Sequence, residues 1–131
     1  MSRVNAIINI PCSLDKSFFE YWLEFLTPLH SLTNREREVA ACFLKHRFIL
    51  SKAITDAVVL DRVVMSEEIK KKIREECKIT ASYFQLVMGK FKRTKFIVDG
   101  RINPKLIPKG IQEGDTSFQL LLNFDLTDGN N

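Results

Sequence analysis

Residues 75–104 read EECKITASYFQLVMGKFKRTKFIVDGRINP, and they combine helix, turn and hairpin signals within one short span. Thr80 stands before apolar residues that recur every three or four positions, which predicts a helix that Thr80 caps and that ends near Lys92. Asp99-Gly100 lies between two short alternating runs and is a strong signal for a two-residue hairpin turn. The span therefore predicts the end of one helix, a turn, a second helix and a hairpin.

The helix before this second helix is predicted to begin at Ser66. Ser66 can cap it, and Glu67 and Glu68 follow in the first turn, where the helix dipole favours anions. We expect this helix to end near Cys77. Lys78 then occupies the turn, where glycine adopts a left-handed conformation easily, so Lys78 implies modest strain or a different turn geometry.

Three further helices are predicted nearer the N-terminus. Aromatic and leucine side chains recur at helical spacing from Asp15 to Leu26. Thr33 and Glu36 form a capping box that opens the next helix. The apolar segment 54–64 is rich in β-branched residues but is spaced mostly like a helix.

Both ends of the chain alternate apolar and other residues with a period of two, as a half-buried strand does. This pattern predicts strands that pair with each other or with the hairpin. The predicted fold class is α+β and mostly helical, in a single domain. It comprises an N-terminal strand arm at 1–12, a helical core and wing at 14–103, and a C-terminal strand at 117–126.

The composition fits one folded domain. The 131 residues (15.2 kDa) are 45% hydrophobic and 27% charged, which is within the globular range. Charges break every apolar stretch well short of the roughly 20 residues that a bilayer requires, so we predict no membrane span. The three cysteines, Cys12, Cys42 and Cys77, are widely and irregularly spaced, which favours reduced, buried side chains over a disulfide framework.

Positive charge is concentrated in one part of the chain. Residues 90–109 hold seven cations and one anion, Asp99, a local charge of +6 in a chain whose net charge is +4. The remainder is therefore slightly acidic. A local excess of this kind predicts a positive surface patch that attracts phosphate or an acidic partner.

The order of elements in residues 66–103 resembles the winged helix-turn-helix domains that bind DNA. Ile79-Thr80 stands where that family commonly has an apolar residue followed by Ser or Thr. The resemblance implies that the helix after Thr80 reads duplex DNA, with Gln85 as the best base-reading candidate. The implied contacts to nucleic acid or an acidic partner are Ser82, Gln85, Lys90, Lys92, Arg93, Lys95, Arg101 and Lys105. The same polar face is also what an amphipathic helix normally presents to solvent.

A second resemblance covers most of the chain. Its segments are FFEYWLEFLTPLH (18–30), LTNREREV (32–39), SYFQLVMGKFKR (82–93), INPKLIP (102–108) and FQLLLNFDL (118–126). Together they resemble a family of small proteins of crAss-like tailed bacteriophages of gut Bacteroidetes. The resemblance implies a viral protein from a lineage in which small folded modules are often built into the virion neck or tail.

The residues needed for catalysis or metal binding are sparse. His30 and His46 are the two histidines, and Cys42 lies four residues before His46, a spacing that suits a metal or a thiolate–base pair. A third ligand at a recognisable spacing is missing, and the sequence contains no phosphate-binding loop or hydrolase motif. We therefore predict no catalytic residues, no metal and no cofactor.

The aromatic stripe of the first helix has two interpretations. It either forms a core contact, which the pattern favours, or anchors a neighbouring subunit, because aromatic residues dominate interface hot spots. The predicted interface positions are Tyr21, Trp22, Phe118 and Leu121.

The leading hypothesis is a non-enzymatic virion structural or assembly protein, a neck, tail or ring component built on a winged-helix core. It implies contacts with other virion proteins and a cyclic homo-oligomer, with no membrane partner. It also implies a location in the virion, and in the host cytoplasm during assembly. The alternative hypothesis is a sequence-specific transcription regulator of winged helix-turn-helix type that binds double-stranded DNA.

Overall fold

Six α-helices and one short hairpin form the regular structure of residues 3–126, the part of the chain that the computed structural model describes. The helices are α1 (Lys16–Phe25), α2 (Thr27–His30), α3 (Asn34–Ser51), α4 (Ala57–Val64), α5 (Glu67–Cys77) and α6 (Ala81–Arg93). The antiparallel strands are β1 (Ile97–Val98) and β2 (Arg101–Ile102), and a short 3-10 helix follows at Pro104–Leu106. The predicted mostly helical α+β class is confirmed.

The middle of α3 is the centre of the core. All six residues from Val39 to Leu44 are buried, with at most 2% of any of them exposed. Six consecutive helical residues point in every direction around the axis, because each turns by about 100°. Neighbouring elements must therefore cover α3 on all sides, and α1, α4 and α5 pack directly on it.

Aromatic rings join the C-terminal half of the core to α3. The ring of Phe43 on α3 lies 6.2 Å from that of Phe84 and 6.0 Å from that of Phe91, both on α6. Phe91 in turn lies 4.8 Å from Phe96, the residue before β1. Offset and edge-on ring pairs at these separations add to the free energy of burial. The cluster therefore positions both α6 and the hairpin against α3.

Side-chain caps begin the helices where the sequence predicts them. The Thr33 and Glu36 capping box is complete, since the amide of Thr33 donates to Glu36 Oε1 at 2.8 Å and the amide of Glu36 donates to Thr33 Oγ1 at 3.3 Å. Ser66 caps α5 and Thr80 caps α6. The predicted helix at 54–64 begins later than expected, because Asp56 accepts from the first amides of α4.

The turn before α6 and the hairpin also agree with expectation. Lys78 has a φ of 54°, so of the two alternatives the turn keeps the left-handed conformation and accepts modest strain. This conformation costs a residue with a side chain about 1–2 kcal/mol. Asp99 and Gly100 both have positive φ, which a hairpin turn of two residues requires when its twist matches that of the strands.

The two predicted terminal strands are wrong. Within residues 3–12 and 117–126 the backbone forms no strand, and residues 1 and 2 of the predicted arm lie outside the described residues. A strand requires the backbone of a partner, and within residues 3–126 neither arm pairs with the free edge of β1 or β2 or with the other arm. An alternating pattern therefore shows a capacity to form a strand, but the pattern alone does not provide a partner.

Trp22 belongs to the core of the chain itself. It is 9% exposed, and its indole N–H donates a hydrogen bond to the carbonyl oxygen of Leu106 at 2.8 Å. This contact joins α1 to the 3-10 helix that follows the hairpin. The prediction of Trp22 as an interface residue is therefore corrected, because its ring and its one donor are both used within the chain.

His30 is the one buried polar residue of the core among the described residues. Its Nε2 lies 2.6 Å from the carbonyl oxygen of Leu23, and the amide of Leu32 donates to its Nδ1 at 3.0 Å. These partners suit a neutral ring with the proton on Nε2. Burial lowers the pKa of His30 below its ordinary value of 6.5, and the positive charge of Arg37 adds to this effect.

We expect the free energy of unfolding to fall as the pH is lowered from about 7.5 to about 5.5. The unfolded chain protonates His30 below its ordinary pKa while the folded chain resists, so the stabilisation present above pH 6.5 is lost on acidification. Urea unfolding at several pH values measures this slope. The control is His30→Gln, which has no titrating ring and should show a shallower slope. Equal slopes in the two proteins would contradict this interpretation.

Candidate functional site

The outward face of α6 is open to solvent. Phe84, Val87, Met88 and Phe91 are buried on the inner side of α6. The helical period then turns Ser82, Gln85 and Lys92 outward, and all three are exposed, as predicted. This face forms one side of a shallow depression of about 360 Å³, whose lining also includes Glu36 of α3.

Two further residues shape this face, of which Leu86 was not predicted. Leu86 lies in the middle of the polar face and is 71% exposed. Gly89, one turn later, has no side chain and lines the same depression, and Arg93 Nη1 lies 3.4 Å from the position that a Cβ would take. An apolar side chain beside a residue without one allows another surface to approach closely. The sequence does carry a sign that Leu86 is exposed, because Leu86 lies outside the set of apolar residues that recur on the inner face of α6.

Two predicted cations are paired with acidic side chains of the core helices. Lys90 Nζ lies 3.5 Å from Glu36 Oε1, and Arg101 Nη1 lies 3.6 Å from Asp61 Oδ2. Asp61 also accepts from Arg47 Nε at 3.2 Å. These carboxylates neutralise part of the local +6, so the positive patch is weaker than the sequence suggests.

The other predicted cations remain outside such pairs. Lys92, Arg93, Lys95 and Lys105 are exposed, and none forms an ion pair with another residue in the range 3–126. Three of them follow one another around the C-terminal end of α6. Of the cations of the basic segment that are unpaired within residues 3–126, Lys92, Arg93 and Lys95 therefore lie where α6 ends and the hairpin begins.

The two arms form a second candidate surface, defined as residues 3–12 and 119–126. The first arm exposes Val4, Ile7, Ile8 and Ile10, and the second exposes Leu120, Leu121, Leu122, Phe124 and Leu126. Leu126 is 93% exposed, and Ile8 and Phe124 are each 83% exposed. Contiguous apolar groups left in water are typical of surfaces that bind another protein.

The second arm is anchored to α1 at its base. The ring of Phe118 lies 5.3 Å from that of Phe18 and 5.8 Å from that of Trp22, both edge-on. Phe118 is half-buried by these contacts, so it supports the arm more than it extends the exposed surface. The other predicted interface residues, Tyr21 (40%) and Leu121 (67%), are exposed.

A thiol cluster lies between α3 and α5. The Sγ atoms of Cys42 and Cys77 are 3.3 Å apart, and both residues are buried as predicted. Glu76 lies beside them and contacts His46 Nε2 at 2.9 Å and Lys45 Nζ at 2.8 Å. Cys42 and His46, four residues apart on α3, therefore both lie beside the carboxylate of Glu76. Cys12 is exposed on the first arm, so the prediction that all three cysteines are buried is wrong for Cys12.

The two thiols have different acidities. The hydrogen bond from Cys42 lowers the pKa of Cys77 to about 7, and the charges of Lys16 and Arg35 add to this effect. The same hydrogen bond, together with burial, raises the pKa of Cys42. Cys77 is therefore the thiol that ionises first, and Cys42 is the donor to it.

Cys42 and Cys77 do not belong to a candidate metal centre in the described part of the chain. No group of three or more histidine, cysteine or acidic side chains there has an arrangement that could hold a metal ion. No helix within residues 3–126 is long and apolar enough to cross a membrane.

Comparisons with protein-family models, with curated proteins and with solved structures found no match.

We expect Gly89→Ala to stabilise the fold by about 0.5–1 kcal/mol, because alanine favours a helix over the unfolded chain. A Cβ at Gly89 would lie 3.4 Å from Arg93 Nη1, the end of a flexible side chain, so the core would not have to move. Urea unfolding measures the change. Loss of stability would show that the Cβ position at Gly89 is already filled within the chain.

Proposed function

We propose that this protein is a non-enzymatic assembly protein of a bacteriophage particle, in which the helical core holds two arms that bind neighbouring subunits. The single observation that carries the proposal is the exposure of nine large apolar side chains on two extended arms beside a core that is complete without them. The resemblance to proteins of crAss-like bacteriophages supports placing these neighbours in the virion, and assembly in the host cytoplasm.

The backbone of the arms supports the same proposal. Among the described residues, no backbone–backbone hydrogen bond involves residues 3–12 or 116–126. Their donors and acceptors are therefore available for strand addition to another chain, which uses main-chain hydrogen bonds for affinity and alternate side chains for specificity. The alternating pattern that forms no strand within the chain can form one with a partner, with one side of the arm buried in the interface.

The origin of the arms also favours assembly. The first arm leads directly into α1, and Phe118 anchors the second arm on α1 through Phe18 and Trp22. Both arms are thus tied to one helix, whose inner face is fixed in the core. Copies that exchange arms around a closed ring would repeat this contact with cyclic symmetry.

We expect the triple variant Leu120→Ser, Leu122→Ser, Phe124→Ser to reduce self-association by at least about tenfold in dissociation constant, while the unfolding midpoint stays unchanged. Sedimentation velocity and native mass measurement of the full chain over a range of concentrations test this. The control is Val58→Ser on α4, an apolar side chain whose exposure of 65% lies within the range of the three arm residues and which lies outside the arms.

Two results would contradict the assembly proposal. One is a wild-type chain that remains monomeric at all concentrations and is absent from purified particles. The other is a triple variant that associates as strongly as the Val58→Ser control.

DNA binding is a second candidate function, and the open face of α6 favours it. A helix that reads a DNA groove must be uncovered, and Ser82, Gln85 and Lys92 are exposed along it. Lys95 and Lys105 extend the available positive charge towards phosphates beside the groove. The proposed winged-helix core would supply the scaffold, with the hairpin β1–β2 as the wing.

If α6 binds duplex DNA, we expect Lys92→Ala to weaken binding to all sequences about equally and to reduce the salt slope by about 1. Gln85→Ala should instead change the preference among sequences. Fluorescence anisotropy with several duplexes at increasing salt separates these effects. Lys71→Ala on the exposed side of α5 removes the same charge elsewhere and is the matched control. Absence of binding at low salt would eliminate this function.

A further inference from the structure

We propose that Cys42 and Cys77 form a disulfide bond when the folded protein meets a hydroperoxide, so that α3 and α5 become covalently joined. Neither the assembly role nor the DNA-binding role of the protein depends on this bond. The proposal concerns a modification site inside the core, and it stands on the placement of the two sulfur atoms.

The two sulfurs are already in contact. Their separation of 3.3 Å must fall by little more than 1 Å to reach a disulfide bond length of about 2.05 Å. Cys42 lies in the surrounded middle of α3, and Cys77 is the last residue of α5. A residue at a helix end moves at lower cost than one inside a helix, so we expect Cys77 to move towards Cys42 when the bond forms.

Charged groups around the pair favour the reactive form of one thiol. Lys16 and Arg35 favour the thiolate of Cys77, and Arg35 Nη2 also donates to the carbonyl oxygen of Cys77 at 2.7 Å. The carboxylate of Glu76, which opposes a nearby thiolate, forms an ion pair with Lys45 and also contacts His46. A thiolate beside a second thiol is the pairing found in redox-active cysteines, and Cys77 is the more exposed of the two residues, at 3% against 0% for Cys42.

The reaction balances in two steps. The Cys77 thiolate attacks one oxygen of hydrogen peroxide, and the O–O bond breaks to leave a sulfenic acid and hydroxide, which takes up a proton to become water. The sulfur of Cys42 then attacks the sulfur of Cys77, forming the S–S bond as the S–O bond breaks. The hydroxide that leaves takes the proton of Cys42 and becomes a second water. Two thiols are oxidised and one peroxide is reduced.

The bond would join residues 35 positions apart and close a loop that contains α4 and most of α5. A loop of this length restricts the unfolded chain considerably. The bond would also fix the residue directly before Lys78, whose turn leads into α6. The oxidised protein would therefore hold the start of α6 more rigidly against α3.

The test uses the full chain with Cys12→Ala, because Cys12 is exposed and would otherwise form bonds between molecules. The folded protein is incubated with hydrogen peroxide, then unfolded in denaturant with an alkylating agent, and its mass is measured. We expect a product two hydrogen atoms lighter that takes up no alkyl groups, and a peptide that links Cys42 to Cys77. A product that takes up two alkyl groups would overturn the proposal.

A second measurement distinguishes a disulfide bond that the fold favours from incidental oxidation of two thiols. The same variant is equilibrated with reduced and oxidised glutathione, both folded and in denaturant. We expect disulfide formation to be favoured roughly a hundredfold more in the folded protein, and the unfolding midpoint to rise by on the order of 10 °C on oxidation. Equal constants in the two states, or a lower midpoint, would show that the fold does not favour the bond. Cys12→Ala combined with Cys42→Ala provides the control that cannot form it.

Discussion

The burial of α3 on all sides constrains every other element of this protein. A helix whose residues from Val39 to Leu44 are all removed from water must have neighbours in every direction, since each buried side chain points to a different part of the surroundings. The small side chains of Ala40, Ala41 and Cys42 allow those neighbours to approach closely. The rings of Phe43, Phe84 and Phe91 then extend the same core to α6 and the hairpin.

A core that closes around one helix leaves two groups of residues outside it. The outer face of α6 remains in water because only the inner face of α6 packs against the core. The arms remain in water because, within residues 3–126, their backbones pair neither with the hairpin nor with each other. The exposed apolar area is therefore concentrated on the arms, whereas Lys92, Arg93 and Lys95 place positive charge where α6 ends and the hairpin begins. An apolar surface suits permanent contacts with protein, and a cationic one suits phosphate or acidic partners, so the two proposed functions use different parts of the molecule.

Ion pairs make the positive patch weaker than the charge of the sequence suggests. Glu36 and Asp61 both belong to core helices, yet each neutralises a cation that the sequence places in the basic segment. The thiol pair shows the same dependence on neighbours, since the acidity of Cys77 follows from Cys42, Lys16 and Arg35, none of which is near it in sequence. Charge and acidity at a site thus follow from contacts between elements, which no local pattern reveals.

The sequence alone determined the features whose causes are local. The caps at Thr33, Ser66 and Thr80 and the turn at Asp99-Gly100 each depend on residues a few positions apart, so their side chains meet their backbone partners in any arrangement of the whole. The exposure of Gln85 and Ser82 was implied by the resemblance to winged helix-turn-helix domains, and it too depends only on positions within one helix.

Only the tertiary structure decided which partners distant residues have. The alternating arms had the pattern of strands but pair with no backbone within residues 3–126, and the indole N–H of Trp22 bonds to Leu106, 84 positions away. The 3.3 Å contact between Cys42 and Cys77 likewise requires α3 and α5 to pack together. A strand, a buried donor and a thiol pair each need a second group, and folding alone brings that group into contact.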